Sequence, residues 1–206
     1  MAIVITVAQQ KGGTGKTTLA ANLGAALLPS RKVALLDIDP QHTLARWHEL
    51  RPKTASKLTF SEVSGWRVSR ELDRLKAHHD FVVIDSPPQV DSDARLAIRG
   101  ADLVLIPVQP SPPDAWAAEG TLQLVAAEKR KAAMVLNRMP SSGKLRETVT
   151  ALLQRGGKPL LTATIGNRTG FATAFARGLA VSEAAPRSIA ANELGALLSE
   201  LLEMLG

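Results

Sequence analysis

The chain has 206 residues, enough for one α/β domain with a real core and short for two, and its 45% hydrophobic and 21% charged residues exclude disorder and fibrous repeats. It contains no cysteine, which excludes a disulfide framework, a thiolate-held iron–sulfur cluster and a thiol nucleophile. The net charge of +6 is unevenly spread: residues 129–187 carry 11 Lys or Arg against 2 Asp or Glu, residues 1–128 carry 14 of each, and residues 188–206 carry three acids and no base, so the later third holds a candidate surface for a polyanion.

Residues Ala2–Ala8 form a β-branched apolar run ending at a Gly-rich turn, as a buried parallel strand would. Helical spacing of Leu19, Ala20, Leu23, Ala26 and Leu27 predicts a helix over Thr17–Leu28, stopped by Pro29. Further strands are predicted at Val33–Ile38, Phe81–Asp85, Leu103–Val108 and Ala132–Leu136, with helical patterns around Leu44, Leu72, Leu96, Leu122 and Leu152. This alternation predicts a single doubly wound α/β domain over residues 1–206, a mostly parallel sheet with helices on both faces. Strands that end in Asp or Gly put those residues at the carboxyl edge, where open α/β sheets bind ligands. Ala190–Gly206 predicts a last helix whose Leu194, Leu197, Leu198, Leu201 and Leu202 form a core-packing stripe. No apolar run reaches the roughly 20 residues that span a bilayer, and nothing resembles a leader, so a cytoplasmic protein is expected.

Between the first strand and first helix lies Gln9-Gln-Lys-Gly-Gly-Thr-Gly-Lys-Thr-Thr18. Its glycines let successive N–H groups turn inward, and the following helix adds its positive end, which together make a cradle for phosphate. Gly12, Gly13, Thr14, Gly15, Lys16, Thr17 and Thr18 are the expected nucleotide ligands, with Lys16 on the terminal phosphates and the Thr17 hydroxyl on Mg²⁺. Phe81-Val-Val-Ile-Asp85 is an apolar strand ended by an acid, the form whose carboxylate binds magnesium directly or through water. Asp37 and Asp39, two apart at the end of the second strand, face the same way on an extended chain.

The usual first glycine of a phosphate loop is replaced by Gln10, and a second lysine, Lys11, follows it. The string Lys11-Gly-Gly-Thr-Gly-Lys-Thr17 resembles the deviant phosphate loop of the ParA/MinD family, and the likeness runs through Asp37-Ile-Asp39-Pro-Gln41, Ser86-Pro-Pro88, Leu105–Asp114, Gly166-Asn-Arg-Thr169, Gly178–Ala184 and Pro186–Ala191. The resemblance implies an ATPase using ATP/ADP and Mg²⁺ that closes into a homodimer, with Lys11 reaching the partner's nucleotide so that hydrolysis depends on dimerisation. It also implies that Asp39 positions the attacking water, Asp37 serves the magnesium shell beside Asp85, Ser86–Pro88 senses the terminal phosphate, and Asn137 with Arg138 meets the base. Family members bind nonspecific double-stranded DNA through basic residues late in the chain, which here draws on Lys158, Arg168, Arg177 and Arg187. The implied function is partition or positioning of a plasmid, chromosome or large protein cargo on the nucleoid, with a ParB-like or cargo-adaptor protein stimulating hydrolysis; the short chain leans toward plasmid partition.

Three rival readings carry their own marks. A biosynthetic ligase of the same loop class, cobyrinate-diamide-synthase-like, needs a metabolite pocket that the basic third does not suggest. A MinD-like regulator needs a basic amphipathic last helix, whereas Glu193, Glu200 and Glu203 are the charges of this one, so no membrane partner is expected. A non-hydrolysing regulator would not need Lys11, Lys16 and Asp39 together.

Overall fold

A computed structural model of the protein describes residues 2–88, 92–140, 144–154 and 157–206. Seven parallel strands, β1 (Ile3–Val7), β2 (Val33–Asp37), β3 (Thr59–Glu62), β4 (Phe81–Asp85), β5 (Leu103–Val108), β6 (Lys131–Met139) and β7 (Leu160–Gly166), form one sheet in the order β3-β2-β4-β1-β5-β6-β7. Along β1, Val4 and Ile5 are both fully buried yet belong to different apolar clusters, because successive side chains point to opposite faces.

One face of the sheet is covered by α1 (Lys16–Leu27), α2 (Thr43–Glu49), α7 (Thr169–Phe175), α8 (Val181–Ala184) and α9 (Ile189–Leu205), whose Leu23, Trp47, Phe171, Val181 and Leu197 share a cluster with Ile5, Leu35 and Val83. The other face is covered by α3 (Arg67–Lys76), α4 (Ser92–Gly100), α5 (Pro112–Ala127) and α6 (Lys144–Gln154), packed on Val4, Leu36, Ile84, Val104 and Leu136. Burying each such Leu, Ile or Val contributes roughly 1.5–3 kcal/mol, which makes the sheet a rigid base for whatever stands on its edge. This is the expected doubly wound parallel arrangement.

Two strands were not expected from the sequence. β3 is an edge strand with Thr59 and Glu62 exposed, so it has no apolar run to announce it. β7 alternates buried Leu161, Ala163 and Ile165 with exposed or half-exposed residues, and the last helix covers it: Glu200 accepts hydrogen bonds from the Thr162 and Ala163 amides, both at 2.8 Å. In that helix Leu194, Leu197 and Leu201 are buried as expected and Leu198 packs partly buried, but Leu202 is exposed, since the buried stripe is narrower than the apolar one. Among the described residues no helix is long and apolar enough to cross a membrane.

Candidate nucleotide site

Strand register brings the motifs abreast. Val7 pairs with Asp85, and Asp85 with Asp37, so the first strand's loop and both strand-ending acids stand on one carboxyl edge. The Ser86 hydroxyl donates to the Val7 carbonyl at 2.9 Å and ties β4 to the start of the loop.

In the loop, Gly13 and Gly15 have φ of 75° and 93°, values that favour glycine. Gly15 also has no room for a side chain, because a Cβ would stand 2.5 Å from the Asn137 Nδ2. That amide donates to the Thr14 carbonyl at 2.6 Å, and the Gln109 amide donates to the Gly13 carbonyl at 2.7 Å, so β5 and β6 hold the loop from one side. Helix α1 starts with neither a side-chain cap nor an acid in its first turn, leaving its positive end open to an anion. Gln10, which stands where a glycine is usual, lays its side chain against Gly120 of α5, and its backbone amide donates to the Thr121 hydroxyl at 3.3 Å.

A hollow of about 230 Å³ is lined by Gly12, Gly13, Gly15, Lys16, Thr17 and Thr18 of the loop with Asp39, Gln41, Thr43, Pro88 and Arg138. A second hollow of about 300 Å³ shares Gly15, Thr18 and Arg138 with it and continues past Asn137 to Gly166–Thr169 and Phe171. Together they make a groove with a polar, cationic end at the loop and a more apolar end at β6 and β7, the shape a nucleotide requires. Arg138, at φ 55°, takes an uncommon backbone conformation at the junction of the two halves. A wider hollow of about 960 Å³ around Arg31, Lys76 and His79 lies at the opposite edge of the sheet, away from these groups.

The site's electrostatics are those of a place built for charges not supplied by the protein. Lys16 is buried, and desolvation lowers its pKa against the opposing pull of Asp85 and Asp39. Asp85 is fully buried, neither carboxylate oxygen has a hydrogen bond of ordinary geometry among the described residues, and its pKa is pushed up to about 8, by burial first and then by the Asp37 and Asp39 carboxylates, against the Thr17 hydroxyl and Lys16, which lower it. An uncompensated buried carboxylate beside a threonine hydroxyl and an open helix start suits Mg²⁺, which takes a few protein oxygens and shares phosphate oxygens. Thr17 and Asp85 would hold such an ion.

Asp37 has another duty. Its Oδ1 accepts the Asp39 amide at 3.0 Å and its Oδ2 accepts the Ala45 amide at 3.1 Å, so it orders the turn into α2 and caps that helix. Burial raises its pKa to about 6 in spite of these bonds. Asp37, expected in the magnesium shell, thus also orients Asp39, which lines the hollow and accepts the Gln41 amide at 2.9 Å.

Lys11 does not line the hollow of its own loop. Its Nζ sits 2.6 Å from Asp114 Oδ2, and that carboxylate also accepts the Ser111 hydroxyl. Asp114 is an unforeseen residue of the site. Its signal is local: Ser111-Pro-Pro-Asp114 has the spacing of a helix N-cap, and the Ser111 hydroxyl does accept the Asp114 amide at 3.2 Å. The two prolines begin α5 rather than stiffen a loop. Other unforeseen supports are Thr121, donating to Gln9 at 3.0 Å, and Asn22, which joins Thr18 to Val181.

Of the late basic residues singled out in the sequence, Lys158 and Arg168 do not stand together. Lys158 precedes β7 and pairs with Glu119 at 2.6 Å, while Arg168 follows β7 and pairs with Glu193 at 2.7 Å, so the two are separated by the strand's length, roughly 20 Å. Arg177 and Arg187 are exposed and without ion pairs among the described residues. The Gly178–Ala184 segment is a packing motif: Gly178, at φ 66°, lies against the Leu50–Arg51 backbone, and Arg51 pairs with Glu183 at 2.8 Å.

A parallel sheet with an uncapped glycine loop, a buried loop lysine and a strand-ending acid abreast of it defines a phosphate-loop nucleotide-binding protein. Residues 5–181 match the family described as the CobQ/CobB/MinD/ParA nucleotide binding domain, and the chain belongs to that family, among its ParA/MinD-type ATPases. It is similar to the "Maintenance of carboxysome distribution protein A" of Halothiobacillus neapolitanus, 32% identical over 98% of this chain and 97% of that one. Its fold is similar to that of an ATP complex of Cyanothece McdA, with TM-score 0.83 and 20% identity over 98% and 96% of the two chains. It is likewise similar to the septum site-determining protein MinD of Pyrococcus horikoshii with Mg-ADP, with TM-score 0.79 and 20% identity over 100% and 98%.

Proposed function

We propose that the protein is a cytoplasmic, nucleoid-associated switch: an ATPase that binds ATP with Mg²⁺, closes into a homodimer, holds nonspecific duplex DNA in that state, and is released when an adaptor protein stimulates hydrolysis. The observation that carries this is the division between the two loop lysines. Lys16 lies inside the phosphate hollow, whereas Lys11 is held outside it by Asp114, half exposed, where it can serve a second subunit and not its own.

The roles of the chain's own residues follow. The open start of α1 and Lys16 bind the phosphates, Thr17 and Asp85 hold the cation, and Asp39, oriented through Asp37, positions water for attack on the terminal phosphate. Lys11 of the facing subunit offsets charge that develops on the transferred group, so turnover waits for the dimer. Asn137 and Arg138 border the base half of the groove. Exposed Arg177 and Arg187 are the favoured DNA contacts, since Arg168 and Lys158 are each held by a glutamate.

The nearly full-length likeness to a carboxysome distribution protein supports a large protein assembly as the cargo over a plasmid. The test is ATPase rate with and without nonspecific duplex DNA, together with ATP-dependent DNA binding at two salt concentrations. Binding that needs ATP and weakens with salt is expected; DNA without effect on either readout overturns the DNA half of the reading.

A further inference from the structure

Trp66, at the start of α3, is 76% exposed, an unusual outlay of apolar surface for an aromatic ring that has no role in the core. Arg67, Arg70 and Arg74 follow at one, four and eight residues, which on a helix puts all four side chains within one stripe about 100° wide. Arg74 is held by Glu71 at 2.6 Å, but Arg67 and Arg70 have no ion pair among the described residues. With Glu71 and with Val63, which directly follows β3, these side chains line a trough of about 390 Å³ along α3. Strand β3 is the edge of the sheet: among the described residues it pairs only with β2, so its outer N–H and C=O groups face no other described strand.

We infer that this trough is a docking site for an extended, acidic segment of a partner protein, which runs along the free edge of β3, seats one aromatic or aliphatic side chain beside Val63 and Trp66, and sets its carboxylates on Arg67 and Arg70. Charge complementarity selects acid on the partner, because two unpaired guanidiniums rim an apolar wall. A free strand edge with a side-chain pocket beside it is the arrangement that recognises peptides by strand addition. A nucleic acid fits less well, because the concavity is a narrow trough rather than a surface wide enough for a duplex. The location matters, since the Val63 amide donates to the Asp37 carbonyl at 3.1 Å and Glu62 meets His42 at 3.1 Å, which ties the wall of the trough to residues on both sides of Asp39.

The test uses the whole chain without nucleotide, so it is independent of the ATPase reading. A fluorescein-labelled peptide Asp-Glu-Phe-Val-Glu-Asp, its Asn/Gln counterpart and an oligothymidylate are titrated by anisotropy against wild type, Trp66→Ala, Arg67→Glu/Arg70→Glu and Arg177→Glu. Expected is saturable binding of the acidic peptide at roughly 10–100 μM, as for a small transient interface. That binding weakens about tenfold or more in the two trough variants and with added salt, and is kept in Arg177→Glu. Equal binding of the neutral peptide, an equal loss in Arg177→Glu, no binding of the acidic peptide, or an oligothymidylate that binds more tightly through the same residues would each overturn the assignment.

Discussion

If Asp85 is kept buried and unpaired to receive a cation, replacing it with the neutral isostere asparagine should stabilise the nucleotide-free protein. Its pKa stands near 3.8 when unfolded and at about 8 in the folded site. The native state therefore binds an extra proton across that window, and the contribution of Asp85 to stability is greatest below about pH 4, falls as pH rises, and levels off above about pH 8. About four units at about 1.4 kcal/mol each bound the penalty at about 6 kcal/mol, of which about 3 kcal/mol has accrued by pH 6. Local relaxation and water entry reduce this, so a gain of roughly 2–3 kcal/mol is expected at pH 8 for Asp85→Asn, or roughly 5–10 °C in Tm for a chain of this length. The assay is thermal and urea unfolding of wild type and variant in EDTA at pH 6 and 8, repeated with Mg-ATP. The variant should be the more stable without ligand, by a margin that grows from pH 6 to 8, and should lose most of the stabilisation that Mg-ATP gives wild type. A variant less stable than wild type at both pH values would refute the reasoning, because it would mean that the carboxylate is compensated within the protein.

Gly15→Ala should cost about 1–3 kcal/mol from its left-handed backbone alone. It should also weaken a fluorescent ATP analogue by displacing Asn137 from Thr14, read by titration beside urea midpoints. Lys16→Met should lose about 100-fold or more in ATP affinity by calorimetry with little change in unliganded stability, since burial already disfavours its charge. Asp114→Asn keeps the partner of Ser111 and removes the ion pair that holds Lys11; a part-exposed pair is worth about 0.5–1 kcal/mol, so ATP-dependent dimerisation should need roughly two- to fivefold less protein. Weaker dimerisation in that variant would mean that Asp114 acts within the dimer instead.

Much of the central sheet is legible in the sequence because β1, β2, β4 and β5 are buried on both faces and so read as continuous apolar runs. The phosphate loop is legible because a left-handed turn and a tight approach at Gly15 leave few alternatives to glycine. The edge strand β3 is hidden because half of it faces solvent, and β7 because its cover comes from α9, whose Glu200 is remote in sequence. The same limit conceals the pairing of Lys11 with Asp114 across 103 residues: each residue has a local explanation, and only the fold of β5 and α5 beside the loop joins them. Asp37 and Asp39 look alike as neighbours on a strand end, and only the fold of the helix start that follows them shows that it is Asp37 which accepts the Ala45 amide.

The most direct test of the central claim is molar mass by light scattering of Asp39→Ala with Mg-ATP and with Mg-ADP, alone and combined with Lys11→Ala. The mass should be near the chain's 21.9 kDa in ADP and about twice that in ATP, and the added Lys11→Ala should return the ATP form to the smaller value. A single mass in both nucleotides, or an ATP dimer that does not need Lys11, would contradict the account.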